Sequence, residues 1–276
     1  MKILKFFWRR IFIWLQKTIP FNQDSKILKV VDKFAVIYHD LYENKNYDLH
    51  SNGEEYLINK LYDSKQLSCV FDVGANKGQY SLLVRRVSES ARILAFEPVK
   101  DTYTVLNSNV RNMGIDTYNF AFGNIKGSSY INLYSEDTLS SMVNFQGDFL
   151  NKKIKNVQIN VNTGNSFLKE NNNIEEISLL KIDTEGYENK VLEGFKDYFP
   201  IINVIQFEYG MANLSSKYFL YDYFKEYSNI FKIGKLYPRG VIFFENYNIN
   251  LENFIGPNFV MVKKEKVDLI KILNHK

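Results

Sequence analysis

The residues best equipped for chemistry open with Asp72-Val73-Gly74-Ala75-Asn76-Lys77-Gly78-Gln79-Tyr80-Ser81, directly after the apolar run Cys69-Val70-Phe71. A carboxylate closes a buried strand, two glycines let the backbone turn tightly against a ligand, and a helix begins near Gln79. This is the outline of a nucleotide-cofactor loop. A dinucleotide fingerprint would place three glycines as G-x-G-x-x-G, with a pyrophosphate on the helix N-terminus. Here Ala75 follows the first glycine and the next comes only at Gly78. Asp72 would repel a pyrophosphate and suits a cationic ammonium and sulfonium, so the loop favours S-adenosylmethionine over NAD.

Two further stretches follow in order. Arg92-Ile93-Leu94-Ala95-Phe96-Glu97-Pro98 reads as a strand ending in Glu97, placed to reach the ribose hydroxyls of a cofactor at the carboxyl edge of a sheet. Ile177-Ser178-Leu179-Leu180-Lys181-Ile182-Asp183 reads as another buried strand and runs without a gap into Thr184-Glu185-Gly186-Tyr187-Glu188-Asn189-Lys190-Val191-Leu192-Glu193-Gly194-Phe195.

With these three stretches the chain resembles the FkbM-type methyltransferases, whose pattern runs D-x-G-A-N-x-G-x-Y-S, then F-E-P, then L-K-I-D-x-E-G-x-E-x-x-V-L-x-G. The resemblance extends from about Asn52 to Phe207. It departs at Thr163-Gly164-Asn165, where many members carry Thr-Leu-Asp, and no role is given to that position. It implies a Rossmann-like class I methyltransferase fold and S-adenosylmethionine as donor, with Asp72 and Gly74 near its methionine part, Asn76 and Gly78 lining the loop, and Glu97 on the ribose. Asn119, Phe120 and Ala121 would border the adenine. The resemblance also implies a saccharide or related polyhydroxylated acceptor, a lipid-linked one included.

Methyl transfer to a hydroxyl is an in-line displacement in which the acceptor must give up a proton. Asp183, Glu185 and Glu208 (in Gln206-Phe207-Glu208-Tyr209) are the candidates to take it, all at the carboxyl edge. Asp183 with Glu185 could instead hold a divalent cation such as Mg²⁺, and Glu185 could simply cap the helix that follows. Glu188 and Glu193, farther along that helix, read as solvated. His50 reads as a connector histidine, and Asn52-Gly53-Glu54 resembles a segment found in part of the family, with Glu54 set against donor or acceptor. An amine, carboxyl or peptide acceptor, and a noncatalytic nucleotide-binding module, stay open as alternatives.

The elements that must position these residues alternate. Strands are expected near 68–73, 92–97, 117–122, 179–183 and 203–208, with helices near 79–87, 101–113 and 187–195, which predicts a mainly parallel, doubly wound α/β sheet. Ser129–Tyr134 and Val157–Val161 look like an added hairpin or edge strands, with the serine-bearing loop Leu139-Ser140-Ser141-Met142 between them. Val241–Glu245 and Phe259–Lys263, with a turn at Pro238-Arg239-Gly240, would finish the sheet as an antiparallel edge. A boundary near residue 50 separates this domain, 51–276, from an N-terminal helical extension.

The chain has 276 residues, a net charge of +4 and a pI near 8.8, too mild a balance for a nucleic-acid partner. Cys69 is the only cysteine, so neither an internal disulfide nor a cysteine-based metal site can form. Residues 2–19 gather Ile3, Leu4, Phe7, Trp8, Ile11, Trp14 and Leu15 on one helical face, while five basic and no acidic residues occupy the segment. The run is too short and too charged to span a bilayer and lacks a cleavage site. It suits either an interfacial membrane helix or a helix packed on protein. The expectation is a cytoplasmic protein with peripheral contact at the inner face of the membrane. The sequence carries no feature that sets an oligomeric state.

Overall fold

A computed structural model describes residues 2–134, 140–143 and 153–275, with side chains described outside 2–7, 140 and 153–154. Two compact units form, residues 1–45 and 46–276. The first contains α1 (Lys2–Thr18) and α2 (Lys26–Tyr42). Pro20 lies just beyond α1, where a ring without an N–H cannot continue the helix. Large apolar side chains are exposed on both helices: Trp8, Phe12 and Trp14 on α1, and Ile27, Val30, Phe34, Ile37 and Leu41 on α2. Among the described residues no helix is long and apolar enough to cross a membrane.

In the second unit α3 (Glu54–Asp63) precedes β1 (Cys69–Val73), α4 (Gln79–Val87), β2 (Arg92–Phe96), α5 (Lys100–Asn109) and β3 (Ile115–Tyr118). Next come β4 (Ala121–Phe122), β5 (Gly127–Tyr134), β6 (Ser140–Ser141), β7 (Lys153–Asn162) and α6 (Gly164–Glu170). The chain then returns through β8 (Ile177–Ile182), α7 (Glu188–Gly194), β9 (Ile202–Glu208), α8 (Ala212–Ser216) and α9 (Leu220–Tyr227). It ends with β10 (Phe231–Tyr237), β11 (Gly240–Phe243), β12 (Asn258–Lys263) and α10 (Val267–Leu273).

The main sheet has the order β11-β10-β12-β9-β8-β1-β2-β3. Strands β9, β8, β1, β2 and β3 pair in parallel, and β12 joins β9 antiparallel. The doubly wound sheet and its antiparallel edge thus stand as the sequence leads one to expect. The strand order reverses between β1 and β8, the switch point outside whose carboxyl ends such sheets take ligands in a crevice.

Burial on both faces explains why β1, β8 and β9 are mainly apolar, with Asp72, Ser178, Lys181, Asn203 and Gln206 as buried polar exceptions. On one face Phe71, Phe96, Phe122, Phe167 and Phe195 interlock, with Phe96 and Phe122 centroids 4.6 Å apart. On the other, Val70, Leu179, Val204 and Val260 meet α3 and α4 through Leu57, Ile58, Leu83 and Val84.

A second sheet, β4-β7-β5-β6, contains the expected hairpin, with β5 and β7 antiparallel. Ser140 and Ser141, expected in a loop, form the short strand β6; Leu139 lies outside the described residues. The strand expected at 117–122 is corrected: β3 stops at Tyr118, and Ala121–Phe122 pairs with β7 in the other sheet. Asn119 makes the break, its side-chain amide donating to the carbonyls of Glu97 (2.9 Å) and Pro98 (3.0 Å). The helix expected at 101–113 ends at Asn109, and Asn112 and Gly114 then take positive φ.

Candidate active site

The loop after β1 rests on the neighbouring strands. Gly74 and Ala75 N–H groups both donate to the Phe96 carbonyl at 3.0 Å, and Asp183 N–H donates to the Val73 carbonyl at 3.0 Å. Gly74 has φ +78°, and a Cβ there would lie 1.8 Å from the Asp183 carbonyl oxygen, so only glycine lets the loop meet the end of β8. Gly78, with φ +89°, starts α4 where a Cβ would press on Leu106 at 2.7 Å.

Glu97 is 4% exposed at the end of β2. Its Oε2 accepts the Asn76 N–H at 3.0 Å and its Oε1 the Val99 N–H at 2.9 Å, which ties the glycine loop to the loop after β2. Burial pushes the carboxyl up to about 7 against those two bonds. The buried Asn76 Oδ1 has no hydrogen-bond partner, an acceptor beside Glu97 that a bound nucleoside could satisfy. Asn119 and Phe120 form the bend above, with Phe120 packed on Phe96 and Ala121 buried behind it. The residues read as a donor site therefore adjoin one another along the ends of β1, β2 and β3.

Asp72 has a different setting from the one expected. It is fully buried, its Oδ2 accepting from the Ser81 hydroxyl (2.7 Å) and its Oδ1 lying 3.2 Å from Lys181 Nζ. Its carboxylate underlies the loop, and its hydrogen bond to Ser81 and ion pair with Lys181 stay within the protein. Lys181 also lies 3.3 Å from Asp183 Oδ2. Burial opposes its charge, but Asp72, Asp183 and Glu54 outweigh burial and raise its pKa.

At the mouth, Asp183, Glu185 and Glu208 come together, with one carboxylate oxygen of each within 4.8 Å of the others. Glu208 is held well above the usual carboxylate range by burial, by the charges of Asp183, Glu185 and Glu188, and by its hydrogen bond to Asp183. Burial, then Asp183 and Glu188, push Glu185 up to about 8. Glu185 sits at φ +55°, and its carbonyl accepts the Ser141 hydroxyl at 2.6 Å, which brings the second sheet against the turn.

Glu188 is a correction. Expected in solvent, it is buried, and its Oε1 accepts from the Thr184 N–H (2.9 Å), the Thr184 hydroxyl (3.0 Å) and the Gly186 N–H (3.1 Å). The acid that stabilises the turn into α7 is Glu188, one helical turn later than Glu185. Glu193 is half-exposed and pairs with Lys190 at 2.6 Å. Glu54 is buried and accepts from Asn52 Nδ2 (2.8 Å) and Gln206 Nε2 (2.5 Å). His50 is exposed against Glu55. Cys69 is buried, which pushes its thiol up to about 11 and leaves it a small core residue. Sequence reading missed Lys181 and Gln206; the available signal was a polar side chain inside strands otherwise buried throughout.

A family model described as the methyltransferase FkbM domain matches residues 72–231, from the carboxylate of β1 to the start of β10. The chain belongs to the FkbM methyltransferase family. Methyltransferase 1 of Beauveria bassiana (strain ARSEF 2860) is 29% identical over 164 residues, 52% of this chain and 66% of that protein, just under two thirds of its length. The solved methyltransferase FkbM from Methylobacillus flagellatus KT is similar at 14% identity and a TM-score of 0.42, over 71% of this chain and 44% of that one. An O-methyltransferase from Bacillus cereus, solved with SAH, is similar at 12% identity and a TM-score of 0.43, over 83% and 89% of the two chains. Within this FkbM chain all three quoted motifs lie at one sheet edge, at the ends of β1, β2 and β8.

Proposed function

We propose that the protein transfers a methyl group from S-adenosylmethionine to a hydroxyl of a saccharide or related polyhydroxylated acceptor. The observation that carries this reading is the meeting of a glycine loop and Glu97 on one side of the β1/β8 crevice with Asp183, Glu185 and Glu208 on the other. Bound S-adenosylmethionine supplies a methyl group on a positively charged sulfur. Gly74, Asn76 and Gly78 line its path, Glu97 accepts from the ribose hydroxyls, and Asn119, Phe120 and Ala121 border the base. Asp72 acts from beneath, its charge fixing the loop.

The acceptor hydroxyl must lose its proton as the new bond forms, and Asp183, Glu185 and Glu208, with one carboxylate oxygen of each within 4.8 Å of the others, are the groups suited to receive it. Three clustered acids disfavour a phosphate or carboxylate at the reacting position, so an uncharged alcohol fits better than an acidic group. The same three acids support a second reading, in which a divalent cation orients the acceptor oxygens. Transfer that survives exhaustive chelation would remove it. The exposed apolar and basic surface of α1 supports a peripheral place at an anionic membrane, where a lipid-linked acceptor would be met.

Calorimetric titration with S-adenosylhomocysteine, with NADH in parallel, tests the donor assignment. Micromolar binding of the former alone is expected; preference for NADH would sink it. Transfer of labelled methyl to neutral glycans, compared with amines and peptides, then tests the acceptor class.

A further inference from the structure

A polar row crosses the middle of the sheet. Asp72 on β1 is in register with Lys181 on β8, and Lys181 with Gln206 on β9. Side chains alternate along a strand, so the three share the face on which Val70, Leu179 and Val204 pack against α3 and α4. Lys181 is 5% exposed, and its ammonium lies 3.2 Å from Asp72 Oδ1, 3.3 Å from Asp183 Oδ2, 3.4 Å from the Gly74 carbonyl and 5.3 Å from the centroid of the Tyr80 ring. The Tyr80 hydroxyl donates to Gln206 Oε1 (2.9 Å), and Gln206 in turn donates to Glu54 and to Asn258 (3.2 Å).

We propose that Lys181 is the positioning residue of this site, a cation that ties Asp72 beneath the glycine loop to Asp183 at the crevice and so holds the donor loop in its binding shape. This deepens the methyl-donor reading and rests on it. The two partners differ in exposure: the Asp72 side chain is fully buried, whereas that of Asp183 is 42% exposed. Lys181 therefore connects the interior to the mouth. Its hydrogen bond to the Gly74 carbonyl fixes the residue whose missing Cβ lets the loop touch β8. Asp72 carries the tie onward through Ser81 to the first turn of α4. A buried ammonium with a single partner would be costly, and two carboxylates, a carbonyl and a ring face together offset its desolvation.

The test reads S-adenosylhomocysteine affinity by calorimetry, on protein shown by circular dichroism to be folded. Lys181→Met and Asp72→Asn should each weaken binding at least tenfold. Because both remove the Asp72–Lys181 contact, the losses in the Asp72→Asn/Lys181→Met double variant should fall short of the product of the two single losses. A folded Lys181→Met protein that binds within twofold of wild type would make the lysine a stability residue only and overturn the proposal. Losses that multiply in the double variant would overturn it as well. Should Lys181→Met not fold, because the Asp72 carboxylate is left unpaired, the double variant removes both charges and is compared with Asp72→Asn. Equal affinities there support the tie, and a further tenfold loss refutes it. Wild-type protein that binds no S-adenosylhomocysteine would overturn the donor reading itself, before any variant is compared.

Discussion

Glu97 carries two opposed influences in one side chain. Two backbone N–H groups favour its ionised form, burial favours the neutral one, and burial wins far enough to hold the carboxyl at about 7. An ionised carboxylate is the stronger acceptor for ribose hydroxyls. S-adenosylhomocysteine affinity should therefore rise by about tenfold from pH 6 to pH 8 and then level. Glu97→Gln should flatten that profile; a variant that kept the wild-type rise would assign it to another group. The linkage to stability has the opposite sign. A carboxyl raised in the folded state contributes stability fully below its ordinary value near 4.5 and loses it as pH climbs to about 7. Glu188, pushed to about 7 by burial, acts in the same direction. Ligand-free protein should melt at a higher temperature at pH 5.5 than at pH 8, measured in buffers of equal ionic strength.

The elements around the site succeed or fail as units because the loop after β1 and the end of β8 touch backbone to backbone. Gly74→Ala would place a methyl group on the Asp183 carbonyl and hold an alanine at positive φ, which costs about 1–2 kcal/mol even without the clash. Donor binding should fall below detection, with a lower melting temperature. An alanine variant that bound S-adenosylhomocysteine like wild type would show that this loop does not hold the donor. Local pattern was a good guide to such units: α4 runs over Gln79–Val87, as its periodicity predicts, and β5 pairs with β7 as the added hairpin. It failed at Asn119, where a residue reading as mid-strand turns the chain by bonding carbonyls more than twenty positions earlier.

Charge is uneven across the whole molecule. The first nineteen residues hold five basic and no acidic side chains, against a net charge of +4 for the entire chain. With Trp8, Phe12 and Trp14 exposed on the same helix, the intact protein should sediment with vesicles containing phosphatidylglycerol, less so as salt is raised, and weakly with phosphatidylcholine alone. Arg9→Glu/Arg10→Glu should abolish most of that binding; unchanged sedimentation would remove the membrane reading. The sequence by itself determined the alternation of strand and helix, the glycine loop and the carboxylates ending β1, β2, β8 and β9. Each of these is written in neighbouring residues, whose period and backbone freedom act locally. Only the tertiary structure decided that Asp72, Lys181 and Gln206 form one row, that Asp183, Glu185 and Glu208 share one mouth, and that Glu188 is buried. Strand order and register bring together residues more than a hundred positions apart, and no local pattern encodes which strands become neighbours.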